Sequence, residues 1–329
     1  MLKTQDLPRR GAVARPVLPL PLWEFVGMIA AMMALNALAI DTMLPALHNI
    51  ATTYSLQHEN DQQLVIFAYV LGFGAPQLVF GPISDRFGRK GVALFCIAAY
   101  SIAGFACMLS WTFDLLLFTR FLQGIAASGI RVVAVSIVRD LMEGRAMARI
   151  MSLVMTVFMI VPILAPAVGQ GVMLLAPWQW TFGILSLAGI GCGTWIALRL
   201  PETLKPEDRQ PLNVAQTFRG YKRVVTTPVT IGYMGASGVI FGALFSYVAS
   251  SEQVFREVFN KTDTFVLWFA GIAGALSVSN FMNSRIVERF GMRRVSHTVL
   301  IGFILLSILN AVLMATMGER LEIFYPLFA

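Results

Sequence analysis

The chain has 329 residues, of which 57% are hydrophobic and 13% are charged, and its mean hydropathy is +0.71. Roughly a quarter of the residues of an ordinary soluble globular protein are charged, so this composition excludes that class. The three cysteines all lie inside apolar runs, which supports neither a disulfide framework nor a metal site.

Long apolar runs follow a polar N-terminal tail. Residues 1–21 contain arginines and prolines but no compact apolar core, so we predict no signal peptide. A hydrocarbon core of about 30 Å requires about 20 helical residues, and residues 92–111 contain no charge at all. We predict nine complete spans, over residues 22–47, 62–82, 91–110, 113–137, 147–174, 179–200, 229–250, 264–287 and 295–317.

A tenth span begins near Leu321, and the nine residues from there to Ala329 reach only about 13 Å as a helix. We therefore expect the chain to be a fragment or a truncated gene product.

The positive charges predict the orientation in the membrane. With a cytoplasmic N-terminus, 20 of the 25 Lys and Arg residues fall on the cytoplasmic side, and three fall outside. This asymmetry agrees with the positive-inside rule. The net charge of +7 therefore indicates membrane orientation, and we expect no nucleic-acid partner.

A short charged motif occurs twice. "SDRFGRK" at 84–90 recurs as "VERFGMRR" at 287–294, each time in the turn after the second span of a predicted six-span half. A repeat of this kind is typical of one large class of transporters. We therefore predict a cytoplasmic tail (1–21), a six-helix bundle (22–200), a central cytoplasmic loop (201–228) and a partial second bundle (229–329).

Several motifs together resemble the major facilitator superfamily, in particular its drug:proton antiporter branch of the Bcr/CflA type. They are "GPISDRFGRK" (81–90), "RFLQGIAASGIRVVAVSIVRD" (120–140), "VPILAPAVGQ" (161–170), "IDTMLPAL" (40–47) and "LPETL" (200–204). The fifth-span motif departs from the family's usual G-P-x-x-G-G, because Ala165 and Gln170 replace its first and last glycines. The resemblance implies an all-α membrane protein of two six-helix bundles, the second of them incomplete here.

The resemblance also implies a cytoplasmic gate and an antiporter motif. The gate residues are Gly81, Asp85, Arg86, Gly88, Arg89 and Lys90, with Arg139 as a local partner for Asp85. In the antiporter motif, Pro162, Pro166 and Gly169 weaken the fifth span, either at a moving interface or as a fixed kink.

Asp41 is the strongest candidate for proton coupling. A carboxylate within a span is costly and by default marks an ion or substrate pathway, although a residue capping a helix end is the alternative. Arg120 lies at a similar depth in the fourth span, so we predict that it pairs with Asp41, either as part of the coupling or as a static ion pair.

Polar and small residues form one stripe on the fourth span, at the spacing of a single helix face. Such a stripe is expected to face a cavity instead of lipid. Arg131, at its cytoplasmic end, either attracts acidic substrate groups or pairs with an acid. The stripe consists of Arg120, Gln123, Gly124, Ala127, Ser128 and Arg131, and weaker cavity candidates are Asn36, Tyr69 and Gln77.

These observations predict a monomeric exporter of small hydrophobic or amphipathic drugs in the bacterial inner membrane, driven by the proton gradient and without a bound cofactor. Its partners are the drug, protons and the lipid bilayer. A metabolite exporter or importer of the same superfamily and an inactive truncated product are the alternatives. An enzyme is not expected, because hydrolase, metalloprotease and phosphate-loop motifs are absent.

Overall fold

The computed structural model describes residues 20–58, 60–211, 214–261, 264–318 and 321. Most of the predicted N-terminal tail and the predicted start of a tenth span, beyond Leu321, lie outside these residues. Within them the secondary structure is helical, without strands.

Consecutive helices account for all nine predicted spans. The α-helices are α1 (Leu22–Asp41), α2 (Leu47–Thr53), α3 (Leu64–Gly74), α4 (Gln77–Phe87), α5 (Arg89–Met108), α6 (Phe113–Leu141), α7 (Gly144–Phe158), α8 (Val161–Leu175), α9 (Trp180–Arg199), α10 (Val214–Thr226), α11 (Pro228–Gln253), α12 (Phe265–Phe290) and α13 (Met292–Met317). Within the described residues, seven helices are long and apolar enough to cross a membrane, or eight if the bent pair α3–α4 forms one span. A shorter apolar segment, Phe265–Ser279, lies in α12.

Three predicted spans are each divided between two helices. The first passes from α1 through a 3₁₀ turn (Leu44–Ala46) into α2. The second bends by 46° between α3 and α4, where Pro76 lacks the N–H group that would continue the helix. The fifth is interrupted between α7 and α8, next to Pro162 at the start of α8. The turn in the first span contains Pro45, so a proline lies at each of the three breaks.

The two copies of the charged motif have the same backbone turn. Gly88 joins α4 to α5 with a φ of +94°, and Gly291 joins α12 to α13 with a φ of +81°. Residues with a side chain rarely adopt this left-handed backbone conformation, which glycine adopts without steric cost. The repeat therefore encodes a specific helix–glycine–helix turn at both positions.

The best-packed region lies in the first half of the chain. Helix α6 begins at the N-cap Thr112, whose hydroxyl accepts a hydrogen bond from the Leu115 amide (3.3 Å). It packs against α3 and α5, and α5 in turn packs against α9. Helix α1 contacts α6, α7, α8 and α9. This arrangement buries most of one face of α1 and of α6, and it places their polar residues close together.

Among the described residues, two helices of the second half make extensive contacts with the first half. Helix α12 packs against α8, and α11 contacts the turn Leu44–Ala46 after α1. At its C-terminal end α11 continues into a π-helical turn, Val254–Val258. These contacts bring the C-terminal ends of the first and seventh spans together.

Candidate functional site

Arg120 lies where α1, α3 and α6 meet. Its side chain is completely buried and donates hydrogen bonds to the carbonyl oxygens of Ala39 in α1 (2.9 Å) and Val65 in α3 (3.3 Å). A third bond joins its Nη1 to Oε1 of Gln123, one turn further along α6 (2.8 Å). A buried charge is costly unless hydrogen bonds satisfy it. These acceptors stabilise the guanidinium, and through it Arg120 connects three helices.

Aromatic rings complete the surroundings of Arg120. Its Cζ lies 4.6 Å from the ring centroid of Tyr69 and 5.4 Å from that of Phe182, within the range of attractive cation–π contacts. The Tyr69 hydroxyl donates a hydrogen bond to Oδ1 of Asn36 (2.9 Å). The structure thus brings Asn36 and Tyr69 together with Arg120 in one polar cluster inside the bundle.

Asp41 is the last residue of α1, and only 7% of it is exposed. Its carboxylate forms no hydrogen bond or ion pair with any residue that the structure describes. The predicted pair between Asp41 and Arg120 is therefore absent from this structure. Nη2 of Arg120 instead contacts Sδ of Met43 (2.9 Å). Successive residues of a helix are about 100° apart, so Met43 and Asp41 project in nearly opposite directions, which explains why the pair does not form.

Gly169 of the predicted antiporter motif packs directly on the chain next to Asp41. A methyl group at Gly169 would overlap the carbonyl oxygen of Thr42, so the backbones of α8 and the end of α1 are in contact. Pro166, also in α8, is buried, and Pro162 stands at the first turn of that helix. The predicted antiporter motif therefore lies against the backbone at the end of α1, next to Asp41.

A second cluster surrounds Arg89 in the turn between α4 and α5. Arg89 is 3% exposed and forms ion pairs of 2.6 Å with both Asp85 and Asp140. Its Nη1 also donates a hydrogen bond to the Ser84 hydroxyl (2.6 Å). Because these partners come from α4 and α6, Arg89 at the start of α5 joins the ends of three helices.

The partner predicted for Asp85 was wrong. Asp85 pairs with Arg89, one turn further along the chain, whereas Arg139 is exposed and forms no ion pair among the described residues. The residue from α6 that joins the cluster is the next one, Asp140. Adjacent helical residues lie about 100° apart, so a change of one position decides whether a side chain faces the cluster or the solvent.

Glu202, from the "LPETL" motif, caps the N-terminus of α5. Its Oε1 accepts a hydrogen bond from the Arg89 amide (2.8 Å), and its Oε2 accepts one from the Lys90 amide (3.2 Å). A carboxylate at this position satisfies free N–H groups and complements the positive end of the helix. The motif was noted in the sequence, but this role was missed, because the cap comes from 112 and 113 residues away along the chain.

The other predicted gate residues have less specific surroundings. The Gly81 carbonyl accepts a hydrogen bond from the Ser84 hydroxyl (2.9 Å), and the Arg86 guanidinium lies 5.5 Å from the ring centroid of Phe87. Nζ of Lys90 donates to the Ala197 carbonyl in α9 (2.8 Å). The central loop contacts the same region, because the Gln210 amide donates to the Asp85 carbonyl (3.1 Å).

The predicted substrate cavity is closed over most of its length in this structure. Tyr69, Gln123 and Ser128 are completely buried, so the stripe on α6 is a packed helix interface from Arg120 to Ser128. Gln77 donates a hydrogen bond to the Phe73 carbonyl in its own span (3.1 Å). Only at its C-terminal end, at Arg131, is the stripe partly exposed.

A contact between the two halves, at the start of α3 and the end of α11, was not predicted. Nε2 of Gln63, before α3, donates a hydrogen bond to Oε1 of Gln253 at the end of α11 (2.9 Å), and Gln253 donates in turn to Glu257 (3.1 Å). Arg256 pairs with the buried Glu252 (3.1 Å) and with Glu257 (2.8 Å). No sequence motif marks Gln63 or Gln253, so only the packing of the two halves reveals the contact.

The part of the chain that the structure describes contains no cluster of three or more His, Cys, Asp or Glu side chains able to hold a metal ion. The three cysteines are buried and not bonded to each other.

Long apolar helices, buried charges within them and a charged turn after the second span define a polytopic membrane transporter. Residues 27–327 match the profile of the Major Facilitator Superfamily. The chain belongs to this family, and the resemblance seen in its motifs is confirmed.

Bacterial transporters are among the similar proteins. The "Uncharacterized MFS-type transporter YdgK" of Bacillus subtilis is 33% identical over 268 residues, covering 81% of this chain and 65% of the relative. The "Bicyclomycin resistance protein homolog" of Haemophilus influenzae is 29% identical, covering 81% and 67%. The "Multidrug resistance protein MdtL" of Salmonella heidelberg is 30% identical, covering 76% and 63%. These names are consistent with the Bcr/CflA-type branch, and the chain spans about two thirds of the relatives' length.

Solved structures with the same fold are much more distant in sequence. The inward-facing, unoccupied bacterial homolog of the human lysosomal transporter Spinster superposes with a TM-score of 0.68 at 17% identity. The match covers 93% of this chain and 71% of that structure. The all-helical major facilitator fold predicted from the sequence is therefore confirmed.

Proposed function

We propose that the protein exports small hydrophobic or amphipathic drugs across the bacterial inner membrane in exchange for protons. The observation that carries this proposal is Asp41, a buried carboxyl group without a hydrogen-bond or ion-pair partner among the described residues. Burying an ionisable group in a membrane span costs free energy. Such groups are therefore rare, and where they occur they commonly mark an ion pathway. The resistance proteins among the relatives support drugs as the substrate class.

The geometry around Asp41 supports its role as the proton carrier. No cation of the described residues neutralises it, so it can be buried at low cost when it carries a proton. On releasing the proton it becomes a charge that requires water or a counter-ion. Gly169 packs against the adjacent residue, Thr42, so a shift at the end of α1 is transmitted to α8 by direct contact.

Arg120 supports this cycle by positioning α1 and α3 relative to α6. It fixes Ala39 and Val65 relative to α6 through its hydrogen bonds, and it places a permanent positive charge near the end of α1. Because Met43 and Ala39 flank Asp41 in the chain, a rotation of this segment would bring the carboxylate toward Arg120. We propose that the ion pair predicted from the sequence forms in the deprotonated state.

Transport by alternating access requires the two halves to move relative to each other. In this structure the outer ends of the two halves are in contact through Gln63 and Gln253. We propose that these contacts break when the transporter opens outward, and that the cytoplasmic ends close in exchange. The Arg89 cluster joins α4, α5 and α6, so it would hold one side of the cytoplasmic gate as a rigid unit.

We further propose a cytoplasmic N-terminus, action as a monomer, and the proton gradient as the only energy source. The orientation rests on the distribution of 20 positive residues on one side and three on the other. A non-enzymatic cycle agrees with membership of a transporter family.

The experiment is an efflux assay in bacteria that lack their own drug pumps. Cells expressing the protein are loaded with ethidium, and efflux is followed by fluorescence with and without a protonophore. We expect protonophore-sensitive efflux, which Asp41→Asn abolishes while membrane insertion is unchanged. Asp114→Asn, at an exposed acid in the first turn of α6, serves as the matched control and should be fully active. Active efflux by D41N would refute the assignment, and unchanged susceptibility to a panel of drugs would leave a metabolite as the substrate.

A further inference from the structure

Arg131 differs from the other enclosed arginines of the described residues. Arg89 has two carboxylate partners, Arg120 has three oxygen acceptors, and Arg256 has two carboxylates. Arg131 is partly buried, yet no described residue gives it a hydrogen bond, an ion pair or an aromatic contact. Its positive charge is therefore enclosed without a protein counter-charge in that part of the chain.

The position of Arg131 places this charge within the membrane. It lies ten residues before the cytoplasmic end of α6 at Leu141, which is about 15 Å along the helix axis. The 29 residues of α6 extend about 43 Å and exceed a hydrocarbon core of about 30 Å. Even if the helix projects equally on both sides, Arg131 lies about 8 Å inside the core.

Helix geometry indicates that Arg131 does not face lipid. Phe118 and Leu122 are the large exposed apolar side chains of α6, at 58% and 40% exposure. Arg131 follows Leu122 by nine residues, or two and a half turns, and so projects from the opposite side of the helix. That side also carries Arg120 and Gln123, which are completely buried. Arg131 is therefore the residue at which the buried polar stripe opens toward the interior of the transporter.

We propose that Arg131 binds the anionic group of the transported solute, so that amphipathic organic anions or zwitterions with a carboxylate or sulfonate are a preferred substrate class. This inference rests on the proposed transport function and specifies its substrate. A guanidinium offers two parallel N–H donors that match a carboxylate. An enclosed charge without a protein partner gains most from such a ligand, because the ligand supplies the missing counter-charge.

The test is a binding measurement on the full chain, purified in nanodiscs of phosphatidylcholine only, so that no anionic lipid competes. The probes are rhodamine B, which carries a carboxylate, and its ethyl ester, in which that carboxylate is blocked. Binding of both dyes is followed by fluorescence anisotropy. We expect Arg131→Met to weaken rhodamine B binding by about tenfold or more and to leave the ester within about twofold. Arg139→Met, at an exposed position on the same helix, should change neither.

Further variants separate charge recognition from folding. Arg131→Lys keeps the charge but loses the paired donors, so it should retain part of the preference for rhodamine B over its ester. If R131M does not fold, Arg131→Gln and R131K give the same comparison. Equal losses for both dyes, no loss for either, or no binding of rhodamine B to the unmodified chain would each overturn the proposal. Repeating the titration with phosphatidylglycerol present tests whether a lipid headgroup is the anion: displacement of rhodamine B only from the unmodified protein would assign the site to lipid and overturn a solute site.

The outcome is independent of the efflux assay. Proton-driven ethidium efflux without an Arg131-dependent anion preference would leave the transport function in place and remove this inference. Arg131-dependent binding of rhodamine B without any efflux would support the anion site and contradict the transport function.

Discussion

The backbone of Gly169 in α8 is in direct contact with the carbonyl group of Thr42, the residue that follows Asp41. This contact joins the Pro/Gly motif of the fifth span to the acidic end of the first span. Because no side chain separates the two backbones, a movement of the end of α1 displaces α8 directly. A substitution at Gly169 therefore tests whether this backbone contact is needed for transport.

Gly169→Ala should damage both stability and transport. The added methyl group overlaps the Thr42 carbonyl, and overpacking of this kind costs about 1–3 kcal/mol. Thermal unfolding in detergent and ethidium efflux measure the two effects. Gly171→Ala is the matched control, since a methyl group there meets nothing within 4 Å, and it should behave as the unmodified protein. Equal behaviour of the two variants would show that α8 does not need this close approach.

Asp140→Asn should destabilise the protein, whereas Arg139→Gln should not. Asp140 is one of two carboxylates paired with Arg89, which is only 3% exposed. Removing one charged partner of a buried arginine costs about 1–3 kcal/mol, while a change at an exposed position is usually within about 0.5 kcal/mol. The midpoint of thermal unfolding compares the two neighbouring variants. A larger loss for R139Q than for D140N would restore Arg139 as the partner in this cluster.

Glu202→Ala should destabilise the N-terminal end of α5, the third span. Glu202 accepts hydrogen bonds from the first amides of α5, and loss of a helix N-cap costs about 1 kcal/mol. Glu202→Gln keeps one acceptor oxygen and should lose less than E202A. Hydrogen exchange at the amides of Arg89 and Lys90 reports the effect locally. Unchanged protection of both amides in E202A would contradict the capping role.

A covalent link between Gln63 and Gln253 should stop transport. The two side chains are hydrogen-bonded (2.9 Å), so Gln63→Cys with Gln253→Cys can be joined by a short, reducible bifunctional thiol reagent. The three native cysteines are buried and should react poorly. We expect the doubly substituted protein to lose efflux on treatment and to recover it on reduction, with each single variant unaffected. Full activity of the linked protein would show that these ends of the two halves need not separate.

Much of the architecture could be predicted from the sequence. The nine spans of the prediction all coincide with helices or consecutive helix pairs, because the length of an apolar run needed to cross a membrane is a local property. The charged turn at 84–90 was also predictable, and its repeat at 287–294 has the same left-handed glycine between two helices. The family could be recognised from motifs for the same reason, since each lies within one short segment.

The partners of the charged side chains could not be predicted in this way. The sequence placed Asp41 and Arg120 at similar depths, but depth does not determine the direction of a side chain around its helix. The structure directs Arg120 to the Ala39 and Val65 carbonyls and leaves Asp41 without a partner among the described residues. Arg139 and Asp140 differ for the same reason: they are one residue, or about 100° of rotation, apart, and only Asp140 reaches Arg89.

By itself, the sequence determined that this protein is a helical membrane transporter of the major facilitator type, with an acid in the first span and an arginine in the fourth. Only the tertiary structure decided that Asp140 and Glu202 hold Arg89 and the start of α5, that Gly169 contacts Thr42, and that the stripe on α6 is closed except at Arg131. The physical reason is that membrane insertion depends on hydrophobic length along the chain. Pairing and burial of polar groups instead depend on the rotation and spacing of helices that are distant in sequence.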